Sequence, residues 1–217
     1  MARIDDYRES FRLASEELRN TDLEQLARRA QVEMAAADGS EGCMRVLFFG
    51  KPFIVQVGAT VEVFREGEEV EVPLPEKILM VHYLLRASGK PLTGELITFR
   101  QVPDGQFYYD AFQRRARDPF LATFGRNVEL FKSCGRLMGG RPVEAGDVGM
   151  VFSVLPRIPI QLVLWKGDEE FSPEAGILFD SVIQYDLSAE DIAVLSGMLV
   201  YRLMGLSRNL GASPGKS

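Results

Sequence analysis

The residue types best suited to chemistry crowd into one stretch of the sequence. Asp168, Glu169 and Glu170 come directly after Trp165-Lys166-Gly167, and Asp180 comes soon after, behind Leu178-Phe179. Carboxylates at neighbouring strand ends can converge on a hard cation such as magnesium, or work as an acid/base pair. These four residues are therefore candidate metal ligands, although from composition alone a solvated acidic turn is the plainer reading of Gly167 to Glu170. Their spacing does not match an EF-hand loop. Just upstream, Pro156 and Pro159 flank Arg157, stiffening the chain and holding that arginine in a defined place. A second region, residues 99–131, interleaves Phe99, Phe107, Tyr108, Tyr109, Phe112, Phe120, Phe124 and Phe131 with Arg100, Arg114, Arg115, Arg117 and Arg126. Aromatic faces beside guanidinium groups can stack a flat anionic molecule. Arg100, Tyr108, Arg157 and Trp165 form the candidate ligand-binding set. Tyr109, Phe112, Ala116 and Phe120 also keep helical spacing, which predicts a core stripe with the arginines on or beside the wet face.

Other chemistries lack their residues. No GxGxxG comes after a strand, and Gly50-Lys51 runs into Pro52, which breaks the phosphate-loop pattern. There is no GxSxG elbow. His82 is the one histidine, so any Ser–His or Cys–His mechanism must use it; its neighbours Ile78, Val81 and Leu85 mark it as a core or boundary residue. Cys43 and Cys134 are the two cysteines. They can build neither a disulfide framework nor a four-thiolate iron–sulphur cluster, and a histidine/cysteine zinc site usually needs three or four ligands. A formal net charge of −6 argues against a phosphate-gathering nucleic-acid surface. No apolar run approaches the roughly 20 residues of a spanning helix, and the N-terminal residues mix both charge signs, so a cytoplasmic chain without membrane association is expected.

These groups must be positioned by a folded scaffold, and the sequence has the material for one: 46% hydrophobic and 26% charged residues over 217 positions. The spacing of Ile4, Tyr7, Phe11, Ala14 and Leu18 predicts a first helix. Thr21 with Glu24 reads as a capping box opening a second helix through Leu23, Leu26, Ala27, Ala30 and Met34, stopped by Gly39. Residues 45–49 and 53–57 read as a hairpin, and residues 61–64 and 70–72 as another. A helix over 76–87 and a strand over 96–102 come next. A helix starts near Phe107, Asp118-Pro119 restarts the chain, and a third helical piece covers 128–138. Residues 148–155 and 160–165 are apolar at almost every position, which predicts neighbouring strands in the middle of a sheet. A strand near 177–179 and a helix capped by Ser188 and Asp191 complete the order. Alternation of helix and strand is too irregular for a doubly wound fold, so the expected class is α+β. A single domain over 1–206 is expected, with a helical hairpin at 1–40, a sheet-and-helix body at 41–206 and a disordered tail at 207–217.

Leu155-Pro156-Arg157-Ile158-Pro159, Gly167-Asp168-Glu169-Glu170-Phe171 and Leu178-Phe179-Asp180 together resemble an uncharacterised domain family, found mostly in anaerobic bacteria and archaea and known as a domain of unknown function. Pro91-Leu92-Thr93-Gly94, Ile97-Thr98-Phe99-Arg100 and Phe107-Tyr108-Tyr109 are similar to it as well, so the resemblance runs from about Pro52 to Leu203. It implies a link to anaerobic redox or one-carbon metabolism, since some members carry an iron–sulphur segment ahead of this domain. Two cysteines cannot carry that cluster over, and no catalytic residue comes with the family. The favoured expectation is a non-catalytic ligand-binding or accessory domain for a small anionic ligand or a partner protein. The alternative is a divalent-cation-dependent hydrolase or transferase using Asp168, Glu169, Glu170 and Asp180.

Overall fold

The computed structural model describes residues 4–37, 40–167 and 170–211. The fold is α+β, and the chain separates into two compact units. The first runs to Leu92 and takes in the short segments Leu155–Arg157 and Tyr185–Leu187; the second holds Thr93–Val154, Ile158–Gln184 and the chain from Ser188 onward.

In the first unit, α1 (Ile4–Arg19) begins with Asp5 and Asp6 and ends with Arg19, charges that suit its dipole, and it buries Ala14 and Leu18. Helix α2 (Leu23–Ala30) is capped one residue later than the Thr21 reading: the Asp22 carboxylate accepts from the Gln25 N–H at 3.1 Å, while the Thr21 hydroxyl donates back to the Glu17 carbonyl. The helix also stops well before Gly39, which lies outside the described residues. Gln31 takes a left-handed conformation, and the Val32 N–H closes onto the Ala27 carbonyl. The next element is a strand, β1 (Glu33–Ala37), although Met34 and the alanines favour helix. Pairing with β2 (Ser40–Phe48) overrides that local preference.

Strands β2 and β3 (Lys51–Val57) form the expected hairpin. Its Phe49-Gly50 turn has positive φ at both residues, 50° and 73°, which matches the twist of the flanking strands. The second expected hairpin does not form. Strand β4 (Val61–Arg65) pairs with β3, and residues 70–72 are not strand. An Arg65–Glu68 ion pair of 2.6 Å braces the turn at Gly67, and the chain leaves toward Pro73. In the resulting antiparallel sheet, β1-β2-β3-β4, Met44, Val46, Phe48, Phe53, Val55, Val57, Val61 and Val63 are buried, while Leu47 and Phe64 are exposed. Helix α3 (Leu74–Arg86) packs against α1 and α2 and buries Leu79, Met80, Val81, Tyr83 and Leu84. His82 sits half-buried, its Nε2 3.5 Å from the Ser10 hydroxyl.

The second unit opens with β5 (Leu96–Thr98), which gives way to a 3-10 turn at Phe99–Gln101 where an extended strand to 102 was expected. Helices α4 (Gly105–Phe112) and α5 (Asp118–Phe124) are not separated by a restart at Asp118-Pro119. A π turn, Gln113–Arg117, joins them without a break. Proline lacks an N–H and its ring crowds the carbonyl four residues back, and a wider turn relieves both problems. Helix α6 (Val128–Leu137) starts at Asn127, whose side chain accepts from the Leu130 N–H at 3.0 Å.

Strands β6 (Arg141–Val143), β7 (Val148–Leu155), β8 (Ile158–Trp165) and β9 (Glu174–Asp180) join β5 in a sheet of order β5-β9-β8-β7-β6. The two apolar runs are thus adjacent interior strands, as their patterns predict. Helix α7 (Ile183–Asp186) is short, and α8 (Ala189–Gly211) is long and capped as expected, the Asp191 N–H donating to the Ser188 hydroxyl at 3.1 Å. It continues to Gly211, so residues 207–211 are helical where a tail was expected; residues 212–217 lie outside the described residues. Of the expected aromatic stripe, Phe112, Ala116 and Phe120 are buried and Tyr109 is half-buried; Phe124 and Phe131 are buried as well, and Phe99 stacks on Phe112 at 4.2 Å between centroids.

Candidate functional site

Asp180 ends β9, and the antiparallel register with β8 decides what it can reach. Trp165 opposes Glu174 at one end of the pair and Ile160 opposes Phe179 at the other. At about 3.3 Å per residue, Asp180 stands roughly 20 Å along the strand from the end that carries the 166–173 loop. Glu170 is exposed on that loop, and Asp168 and Glu169 lie outside the described residues. Glu170 and Asp180 are therefore not brought together. Asp180 is buried instead, and its oxygens are occupied. Oδ1 accepts from the Thr93 N–H (3.1 Å), the Thr93 hydroxyl (3.0 Å) and the Val182 N–H (3.0 Å), and Oδ2 accepts from the Gly94 N–H (2.7 Å). Burial by itself raises the pKa of this carboxyl, but the N–H donors of Val182, Thr93 and Gly94 outweigh it and hold the group below its ordinary value. Among the described residues no group of three or more His, Cys, Asp or Glu side chains is arranged to hold a metal ion.

Arg157 is fixed in place, as its flanking prolines suggest, but inside the first unit. It is 3% exposed; its Nη2 donates to the Lys90 carbonyl, and its Nε stands 3.5 Å from Asp186 Oδ2. The Ser88 N–H and hydroxyl donate to the other Asp186 oxygen at 2.7 and 2.6 Å. The Tyr83 phenol donates to the Ala30 carbonyl at 2.6 Å, and burial pushes its pKa far above the ordinary value. A guanidinium so enclosed acts as an internal clamp.

Arg100 and Tyr108 are at the surface. The Arg100 guanidinium lies over the Tyr109 ring at 3.9 Å, and Tyr108 meets Phe107 edge-on at 5.1 Å. Neither is among the residues that line the cleft beside Trp165, the remaining member of the set.

Trp165 closes β8 and is 42% exposed. Its indole lies over Gly176 of β9, so close that a Cβ there would come within 3.2 Å of the ring. It borders a cleft of about 610 Å³ lined by Arg117 and Leu121 from the π-turn and α5 side and by Lys166, Phe171, Ser172, Pro173 and Glu174 from the β8–β9 loop. A second cleft of about 470 Å³ shares Lys166, Phe171, Ser172 and Pro173, and is completed by Gly125, Arg126 and Val128 at the start of α6 with Gly167 and Glu170. Two glycines permit this approach. A Cβ at Gly167 would stand 2.7 Å from Pro173, and one at Gly125 would stand 2.6 Å from the Leu121 carbonyl and 3.4 Å from Pro173. Arg117, Arg126 and Lys166 thus face two carboxylates, Glu170 and Glu174. Arg117 pairs with Asp118 at 3.1 Å, and Arg126 is exposed with no ion pair among the described residues. The Lys166 N–H is held by Asp147 at 2.6 Å, which fixes its backbone and leaves the side chain exposed.

A family model described as a domain of unknown function, DUF3786, matches residues 22–202. The chain belongs to this family. The DUF3786 match begins at the cap of α2 and ends within α8, so it takes in both sheets and every residue of the two clefts. It begins earlier than the resemblance from Pro52 and includes the first strands. No curated protein and no solved structure matches the chain. The DUF3786 assignment fixes kinship and names no activity, so the chemistry has to come from the residues. Arg117 and Arg126 stood out in the sequence as part of the aromatic–arginine region, and Lys166 and Phe171 as part of the acidic stretch. Nothing in local spacing signals that the two segments meet, because the packing of α5 and α6 beside the β8–β9 loop is a long-range event.

Proposed function

We propose that this domain is a non-catalytic binding module whose adjoining clefts at the β8–β9 loop receive a small anionic ligand. The observation that carries this reading is the gathering of Arg117, Arg126 and Lys166 around two connected concavities, beside an exposed tryptophan. Volumes of about 470 and 610 Å³ suit a metabolite-sized molecule. Arg126 has no carboxylate partner among the described residues, so a ligand anion would gain a charge-assisted hydrogen bond without displacing an internal one. No histidine or cysteine is among the residues that line either cleft. The link to anaerobic redox metabolism that the family resemblance implies belongs to this proposal too, as does a cytoplasmic setting. No helix among the described residues is long and apolar enough to cross a membrane.

The cation-dependent hydrolase or transferase reading has lost Asp180 from its acidic set, and no observation favours it over the binding module. Calorimetric titration with inorganic pyrophosphate, as the simplest strong anion, tests the proposal. Wild type binds; the Arg126→Ala and Lys166→Ala variants each weaken binding by about tenfold or more, the scale of a lost charged hydrogen bond; and melting temperatures stay unchanged because both side chains are exposed. Binding that is unaffected by both substitutions would remove the site.

A further inference from the structure

The Trp165 ring carries a further step, which rests on the anionic-cleft reading. We infer that the occupant is a planar aromatic molecule bearing an anionic group, with its ring stacked on Trp165 and its charge directed to Lys166 and Arg117. Three features of the site point to this class.

The first is how the indole is held. An exposed tryptophan at a strand end is usually free to swing, but here Cζ3 and Cη2 lie where a Cβ on Gly176 would approach to 3.2 and 3.3 Å. The ring rests on bare β9 backbone, at a distance that a Cβ could share only if the ring gave way by a few tenths of an ångström. Gly176 pairs with Val163 in the centre of the β8–β9 ladder, where a glycine weakens a strand and gives no turn in return. Its use is the close approach of the ring. The second feature is exposure. With 42% of Trp165 open and the ring bordering the larger cleft, a rigid aromatic surface is presented to whatever enters. The third is the company it keeps. Lys166 and Arg117 line the same cleft, and Leu121 supplies an apolar wall. An anion alone needs the cations and has no use for the platform. A neutral ring needs the platform and makes no use of the exposed Lys166 or the half-buried Arg117. A flat heteroaromatic phosphate or carboxylate uses both, and each base-on-aromatic stack typically adds a further factor of about ten.

Trp165 is the one tryptophan in the chain, so its fluorescence reports on this site alone. Flavin mononucleotide and adenosine monophosphate are the probes, with riboflavin, adenosine and inorganic pyrophosphate as the counterparts that lack either charge or ring. At least one aromatic phosphate is expected to quench or shift the Trp165 emission and to bind at least about tenfold tighter than its uncharged counterpart. In calorimetry, Trp165→Leu and Gly176→Val should each weaken that binding by about tenfold while pyrophosphate binding stays as in wild type, with unchanged melting of the leucine variant showing that the fold is intact. If pyrophosphate binds through Arg126 and Lys166 but neither aromatic phosphate gains affinity or perturbs the emission, the stacking inference is overturned and the anionic cleft stands. If the uncharged rings bind as tightly as their phosphates, charge has no part and this inference fails. If none of the five binds, both the inference and the proposed function fall.

Discussion

Asp180 meets four donors within its own unit, and they determine its behaviour. A carboxylate that accepts from Thr93, Gly94 and Val182 organises the loop ahead of β5 and is directed at the chain's own donors. The Asp180→Asn variant would turn one acceptor into a donor facing N–H groups, and a loss of about 1–3 kcal/mol in urea denaturation is expected. The pH dependence has a definite sign. Because the native pKa is lowered, the unfolded chain binds the proton more readily, so the stabilisation from Asp180 is complete above the ordinary aspartate pKa of about 3.9 and is lost as the pH falls through the lower native value. A pH series of denaturation midpoints should show this acid limb in wild type and a flatter one in the asparagine variant. The sequence singles out Asp180 as a candidate metal ligand and Arg157 as a candidate ligand-binding residue, and the structure gives both of them internal partners. Residue type shows that a carboxylate or guanidinium is worth explaining; burial decides whether it faces inward, and burial is not written in the neighbouring letters. Arg117, Arg126 and Lys166 are the converse, since on spacing alone they look like ordinary solvated charge.

Elements were legible wherever local rules had no competitor. The β7 and β8 strands and the Ser188 cap of α8 agree with pattern and capping chemistry, and the β2–β3 hairpin forms where it is expected, although its turn falls at Phe49-Gly50 and not at Gly50-Lys51-Pro52. Failures came where pairing with an adjacent strand or a wider helical turn overrode a residue preference: the alanine-rich segment that pairs as β1, the β4 strand that joins β3 instead of residues 70–72, and the helix that runs through Pro119. The junction between β5 and α4 is similarly set by close packing. Gly105 opens α4 so near the 3-10 turn that a Cβ would come within 2.0 Å of the Phe99 carbonyl, and backbone cannot rotate aside as a side chain can. Gly105→Ala is therefore expected to cost about 3 kcal/mol, at the upper end of overpacking penalties, and the thermal or urea midpoint measures it. A change below about 0.5 kcal/mol would mean that the start of α4 is looser than this approach implies.

At the scale of the whole molecule, the α+β class was readable because the sum of helices and strands survives errors in individual elements. The division into units was not, since the first one is discontinuous in sequence. It is finished by Leu155–Arg157 and Tyr185–Leu187, which return from the later part of the chain. Arg157 and Asp186 are the working parts of those returns: an arginine and a carboxylate with buried side chains, 3.5 Å apart, tied to the Lys90 carbonyl and to Ser88. Removing one member of a buried pair strands the other, typically at a cost of about 3–5 kcal/mol, whereas replacing both by apolar residues of similar size is often tolerated. Arg157→Met alone should thus destabilise strongly, and joining it to Asp186→Leu should recover part of the loss, less whatever Ser88 forfeits. A double-mutant cycle by urea denaturation measures that coupling. The same geometry bears on dissection: a fragment ending at Leu92 keeps Ser88, Lys90 and Tyr83 but neither charge that they surround. Its far-ultraviolet circular dichroism should melt well below that of the full chain. A fragment as stable as the full chain would show that the returning segments are passengers, and the buried pair would then need a role other than completing the first unit.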